Sequence, residues 1–383
     1  MNYIADRFAS LSDGLALDAE AVRRYPDLID LSIGDTDFIT DSRIIDAAMA
    51  DARRGYTRYG FPQGDPELID AVCKAWAEDF GQAVSPDEVM VTASSCLGMA
   101  LVCMAVLNPG DEVLVPAPYF SVYRQQIEMA GGCCIEVPTY EQDGYQVRED
   151  LLRQAVSPRT RALILNNPNN PTGAAYSADT LMRIGNFARE YDLLIIADEI
   201  YTRYLYEGEF IPMRTLPSLK DRVITLNSFS KNFMMTGWRV GVLIAPPVLR
   251  QVIQSINGAM IYTAPSVSQR AALEALKWRD EIQRDVISQY RHRMDVLSER
   301  MAGSPWMTLC KPRGTFYLFP GIEKTGLTDT AFCQMALEKA HVLLSPGHLF
   351  GSCGQGHIRI AATQPLPRLE EAMDRLSALS FPG

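Results

Sequence analysis

Between residues 85 and 270, short apolar runs rich in β-branched residues alternate with stretches of helical periodicity, and few architectures can accommodate that pattern. Val89–Thr92 precedes a helical pattern from Leu97 to Leu107. Glu112–Val115 precedes one from Ser121 to Ala130, and Arg161–Leu165 one from Ala178 to Glu190. Leu193–Ala197, Val223–Leu226 and Gly241–Ala245 complete the set. A strand that is apolar along its whole length must be covered on both faces. The chain is therefore expected to form an α/β fold, a mostly parallel sheet sandwiched by helices. The longest apolar run, Leu97–Leu107, is broken by Gly98 and stops at Asn108-Pro109-Gly110. It falls short of the roughly 20 residues a membrane span requires and reads as a buried helix.

After Pro265 the texture changes. A charged helical pattern from Asp280 to Met301 bridges to a separate α+β block. That block contains GTFYLFP (Gly314–Pro320), a helix near Asp329–Ala340, HIRIAA (His357–Ala362) and a last helix near Arg368–Leu379. Residues 1–45 lack the alternation and are expected to join it. The expected division is a large domain at 46–285 and a small domain made of 1–45 and 286–383.

Composition narrows the function. With 383 residues, 47% hydrophobic and 21% charged, the chain can bury full cores and does not resemble a disordered one. A net charge of −10 without a basic cluster argues against nucleic acid and against anionic membranes as partners. The opening MNYIADRFASLSDG has no basic region followed by an apolar core, which favours a cytoplasmic protein over a secreted one. The eight cysteines include no Cys-x-x-Cys, and the four histidines show no ligand spacing. Incidental thiols in a reducing compartment are expected, and no metal site.

In open α/β sheets, ligands bind beyond the carboxyl ends of the strands. Thr92-Ala93-Ser94-Ser95-Cys96 leads from the first strand into a helix, where small residues leave backbone N–H groups free for a phosphate. Read alone, Ser94 or Ser95 is only an N-cap. Asn166–Gly173 (NNPNNPTG) makes a rigid turn whose amide side chains are expected to converge on one point. Asp198 ends an apolar run, so its carboxylate is desolvated and needs a partner. Lys231 follows the Val223–Leu226 strand within SFSKNFMMTGWRVG (Ser228–Gly241), beside serines and Arg239, which are phosphate-binding types. A lysine beside phosphate binders, with a buried aspartate at a neighbouring strand end, suggests pyridoxal 5'-phosphate.

The ordered set of SFSKNFMMTGWRVG, NNPNNPTG, ADEIY, YTRYGFPQG (Tyr56–Gly64), NPGDEVLVPAPYF (Asn108–Phe120), RGTFYLFP and LLSPGHLFG followed by HIRIA resembles the class I/II pyridoxal-phosphate-dependent aminotransferases of fold type I, in the aspartate/aromatic group. The resemblance covers nearly the whole chain. It implies a seven-stranded sheet, transfer of the α-amino group of an L-amino acid to a 2-oxo acid by a ping-pong cycle, and a homodimer. By the same resemblance, Lys231 is the Schiff-base lysine and the proton-moving base, and Asp198 holds the ring nitrogen protonated. Tyr201 and Asn170 bond the ring 3-oxygen, and Phe120 stacks on the ring. Ser94, Ser95, Cys96, Ser228, Ser230 and Arg239 hold the phosphate. Tyr59 reaches the partner subunit's cofactor. Arg359 grips the substrate α-carboxylate, with the backbone at Gly34 closing over it.

Two features depart from the family pattern. IGDTDF (Ile33–Phe38) lacks a proline common in relatives, which is expected to loosen that loop, and ASSC lacks a glycine common in the phosphate loop. Arg24, Arg43, Arg58 and Arg124 are all candidates for a second, side-chain-binding arginine. A β-eliminating C–S lyase on the same fold would use the same lysine and aspartate. The charged face of the 280–301 helix reads as solvated surface.

Overall fold

A computed structural model describes residues 23–381 together with Tyr3 and Phe8. The expectations for a leader segment and for most of residues 1–22 lie outside the described residues.

Twelve strands are present among the described residues. They are β1 (Ile29–Asp30), β2 (Val89–Thr92), β3 (Glu112–Ala117), β4 (Cys133–Pro138), β5 (Thr160–Asn166), β6 (Leu194–Asp198), β7 (Val223–Ser228), β8 (Gly241–Ile244), β9 (Tyr317–Leu318), β10 (Val342–Leu343), β11 (Ser345–Pro346) and β12 (Ile358–Ala361). Seven of them form one sheet in the order β2-β8-β7-β6-β5-β3-β4. Every adjacent pair is parallel except the two made by β8. β2, β3 and β8 are buried at every residue, as strands covered by helices on both faces must be.

β4 is the strand the periodicity did not reveal. Its sequence, CCIEVP, lies at the sheet edge, where only Val137 is fully buried. An edge strand covered on fewer sides needs no continuous apolar run. The helices Ser42–Arg53, Pro66–Phe80, Pro247–Met260 and Ser266–Lys277 were also not anticipated. Pro66–Phe80 carries clear end signals all the same. Asp65 accepts from Glu67 N at 3.0 Å, Pro66 occupies the first turn, and Gly81 closes the helix at φ +67°.

The second sheet is antiparallel, β11-β12-β9, and a separate parallel pair joins β1 to β10. The long helix runs from Arg279 to Ala302. Its charged face is not all solvated. Arg293 is 5% exposed, pairs with Asp37 through two bonds of 2.7 and 2.8 Å, and lies over the Phe38 and Tyr290 rings. A carboxylate partner offsets the cost of burying a guanidinium, and the partner here comes from the N-terminal loop. The expected helix at 329–340 is an α-helix only over Asp329–Met335, followed by a π-turn over Ala336–Ala340.

Candidate active site

The carboxyl ends of β5, β6 and β7 bring Asn166, Asp198 and Lys231 to one edge of the large sheet. Asp198 is the last residue of β6 and is 6% exposed. Its Oδ2 accepts from the Tyr123 hydroxyl, while Oδ1 is buried without a partner. Burial pushes its pKa up to about 6, against the pull of the Tyr123 bond and of the Ile200 amide. A carboxylate so placed is suited to a cationic partner on its free oxygen, because pairing would recover the desolvation cost. Next to it, burial raises Glu199 to about 8. Its Oε1 accepts from Met213 N at 2.7 Å, so it fixes the chain rather than facing the site.

Lys231 lies in the one-turn helix Phe229–Asn232 immediately after β7 and is half-buried. Its Nζ donates to the Gly34 carbonyl at 2.5 Å and lies 5.7 Å from the Phe316 ring centre. Gly34 therefore meets the lysine, and its lack of a side chain matters: a Cβ there would lie 1.8 Å from the Tyr317 hydroxyl. The loop around Gly34 is not loose, despite the missing proline. Thr363 Oγ1 donates to Ile33 O at 3.0 Å, Thr236 Oγ1 to Asp35 at 2.7 Å and Tyr290 to Thr36 Oγ1 at 2.8 Å, and Arg293 pairs with Asp37. Side-chain tethers replace the rigidity a proline would give.

Two N-termini converge beside the lysine. Ser94 caps the helix Ser95–Val106, accepting from Leu97 N at 3.1 Å. It does so at φ +111°, a region that normally favours glycine. The glycine-like turn is thus kept without the glycine, and the Ser95 and Cys96 amides stay at the open end of the helix. Gly241 permits the close approach of β8, since a Cβ there would meet Ser95 N at 2.7 Å. Ser228 caps the lysine turn, accepting from Ser230 N at 3.0 Å. Arg239 is exposed at φ +53° and donates to Thr236 O at 2.7 Å. Its charge also acts on the exposed Cys96, opposing the desolvation that raises that thiol. Backbone donors and one guanidinium together make an anion cradle.

Arg359, on β12, is 2% exposed. Its Nη1 donates to Asn170 Oδ1 at 3.2 Å and its Nη2 to Ser32 O and to Ser345 Oγ at 3.4 Å; Nε is buried without a partner. The guanidinium lies 4.7 Å from the centres of both the Tyr317 and Phe350 rings. Buried Arg214 and Arg293 are each paired with a carboxylate, whereas Arg359, like buried Arg250, hydrogen-bonds only neutral acceptors. It is poised for an anion from outside.

The Asn166–Gly173 turn departs from expectation. Most of its amides serve the turn itself. Asn166 bonds Asn170 N and Asp198 O, Asn167 accepts from Tyr176 N, and Asn169 accepts from Thr172. Only Asn170 reaches Arg359, because a buried turn must first satisfy its own backbone. Tyr201 is 1% exposed and its hydroxyl lies 3.3 Å from that of Tyr317. Phe120 is half-buried, edge-on to Tyr123 with ring centres 5.6 Å apart. Tyr59 is 84% exposed, against Tyr262, in an open groove shared with Arg58 and Thr263–Val267. Of the candidate second arginines, Arg43 is neutralised by Asp41 and Glu281, and Arg124 by Glu136 and Glu128. Tyr123 and Tyr317 were missed; Tyr317 lies inside the quoted RGTFYLFP, whereas Tyr123 falls just past Asn108–Phe120 and carried no signal.

These groups fit pyridoxal phosphate: a half-buried primary amine, a buried carboxylate with one free oxygen, an amide cradle and a separate guanidinium. The sequence matches the family described as aminotransferase class I and II over residues 26–376. It is 36% identical over 360 residues to aromatic-amino-acid aminotransferase 2 of Thermococcus litoralis, covering 91% of this chain and 90% of that one. It is 36% identical over 358 residues to the aspartate aminotransferase of Pyrococcus abyssi, covering 91% of each. Its fold superposes on a single mutant of Thermus thermophilus aspartate aminotransferase with a TM-score of 0.93 at 31% identity, covering 98% of this chain and 99% of the other. The chain belongs to the class I and II aminotransferases. It is a fold type I, pyridoxal-phosphate-dependent transaminase, and these aminotransferase relatives do not favour the eliminating-lyase alternative.

Proposed function

We propose that this chain moves the α-amino group of an L-amino acid to a 2-oxo acid through Lys231, as a cytoplasmic homodimer. The observation that carries the assignment of roles is the placement of the free, buried Asp198 Oδ1 at the same sheet edge as the half-buried Lys231 amine. Bound pyridoxal phosphate supplies an electron sink for the charge left when the substrate Cα loses its proton. Lys231 would carry the cofactor and move that proton. Asp198 would keep the ring nitrogen protonated, its other oxygen held by Tyr123. Tyr201 and Asn170 would act on the phenolic oxygen, and Phe120 would stack on the ring. Ser94, Ser95, Cys96, Ser228, Ser230 and Arg239 hold the phosphate. Arg359 grips the α-carboxylate as a fork, and the Gly34 backbone covers it.

We also propose the division into a large unit at 46–285 and a small one at 1–45 with 286–383; the β1–β10 pairing supports it. Dimerisation rests on Tyr59, whose exposed ring with Phe61 and Tyr262 suits cover by a second copy. No helix among the described residues is long and apolar enough to cross a membrane. The test is a visible absorbance spectrum of cofactor-loaded protein, taken before and after each of a panel of L-amino acids with no keto acid present. Loss of the lysine-linked band with one equivalent of keto acid released supports transamination. Return of the band with pyruvate and ammonia accumulating would overturn it.

A further inference from the structure

Tyr317 stands where four parts of the site meet, yet no role has been given to it. It lies on β9 and is 2% exposed. Its hydroxyl is 3.3 Å from the Tyr201 hydroxyl, and its ring lies under the Arg359 guanidinium. The same hydroxyl fills the space a Gly34 side chain would take, beside the carbonyl that receives Lys231. We propose that Tyr317 is a positioning residue for the transamination site: its hydroxyl fixes the Tyr201 hydroxyl and its ring fixes the Arg359 fork.

The two tasks fall on different parts of one side chain. A phenol can donate one hydrogen bond and accept others. When Tyr201 donates to an oxygen in the site, its own oxygen is left to accept from Tyr317. That second bond polarises the Tyr201 O–H and makes it a better donor. The ring, independently, offers its face to a guanidinium that has no carboxylate partner. The inference rests on the reading that Tyr201 and Arg359 face cofactor and substrate.

The titratable and charged groups facing this pair are Asp198, Arg359, Lys231, Tyr204 and Tyr290. The visible band of cofactor-loaded protein is titrated against pH, and the affinity for the carboxylate probe 3-phenylpropionate is read from the same band. Losing the Tyr317 hydroxyl weakens the donor bond that favours the deprotonated lysine linkage. Tyr317→Phe should therefore raise the apparent pKa of the band by about half a unit to one unit, while probe affinity stays within about threefold. Tyr317→Leu should raise that pKa similarly and also weaken the probe by about tenfold. Gly34→Ala, which drives a methyl against the hydroxyl, should reproduce the pKa rise of Tyr317→Phe.

An unchanged titration in Tyr317→Phe, alongside a shifted one in Tyr201→Phe, overturns the inference and leaves the site reading intact. If Tyr201→Phe leaves the titration unchanged and Arg359→Leu leaves probe affinity unchanged, the site reading itself fails. A Tyr317→Leu protein that binds the probe as wild type overturns the role of the ring.

Discussion

The two halves of the site are held by different kinds of force. Asp198, Asn166 and Lys231 sit at or just beyond the ends of buried parallel strands, and backbone ladders fix their positions. Gly34, Tyr317 and Arg359 come from the N-terminal loop and the second sheet, and they reach the first half through side-chain contacts such as Tyr317 to Tyr201 and Arg359 to Asn170. A backbone ladder tolerates a side-chain change without moving. A side-chain contact does not. Substitutions of Asp198 and Lys231 should therefore act on the chemical step and those of Arg359 on binding, while Tyr317, which touches both Tyr201 and Arg359, reaches both.

The largest effect is expected at Lys231. Lys231→Ala should abolish the lysine-linked absorbance band and cut kcat by about a thousandfold or more, with the melting temperature little changed. Normal turnover by that variant would break the comparison at its root.

Next is Asp198→Asn, which keeps the shape and removes the charge. A loss in kcat of about a hundredfold is expected, with KM nearly constant. A pH signature accompanies it. In cofactor-free protein the raised pKa means the folded state holds its proton more tightly than the unfolded chain. The stability this contributes is present below about pH 4 and lost as pH rises through about 6. Denaturant melts of the cofactor-free forms at pH 4 and pH 7.5 should show a slope in wild type that is reduced in Asp198→Asn. Loading with cofactor should stabilise wild type more at pH 7.5 than at pH 4.

In the second half, Arg359→Lys should raise KM about tenfold to a hundredfold, because an ammonium cannot reproduce the fork. Steady-state kinetics with a single donor amino acid will separate the two parameters. Asp37→Asn leaves Arg293 buried and short of its partner, and a loss of about 3 kcal/mol in denaturant stability is expected. Its KM should rise more than its kcat falls, since the Gly34 loop is what it loosens. An equal fall in both would show that the loop also serves the chemical step. The smallest effect belongs to Ser94→Gly. Relief at φ +111° and loss of a cap bond oppose each other, so stability should shift by less than about 1 kcal/mol, read from denaturant melts.

What the sequence disclosed follows the same division. The strands bearing Asp198 and Lys231 were readable because an apolar run ending in a polar residue is a local signal. The motif then supplied Arg359, whose neighbours Ile358 and Ile360 mark it as buried among apolar residues. Tyr123 meets Asp198 from 75 positions away, and Tyr317 meets Tyr201 from 116. No pattern within a window of a dozen residues encodes such meetings. Arg293 was misjudged for the same reason, since its partner Asp37 lies 256 positions away on another element. β4 escaped because only Val137 of its residues is fully buried, so its run CCIEVP carries little apolar signal.

The bond from Lys231 Nζ to Gly34 O puts the amine in contact with the very loop proposed to cover the substrate. That nitrogen must leave Gly34 to take a new partner, and a loop held by that bond alone would be released each time. Here the segment from Ile33 to Asp37 keeps its attachments to Thr363, Thr236, Tyr290 and Arg293. The redundancy uncouples the two: the lysine can change partner without releasing the segment from Ile33 to Asp37.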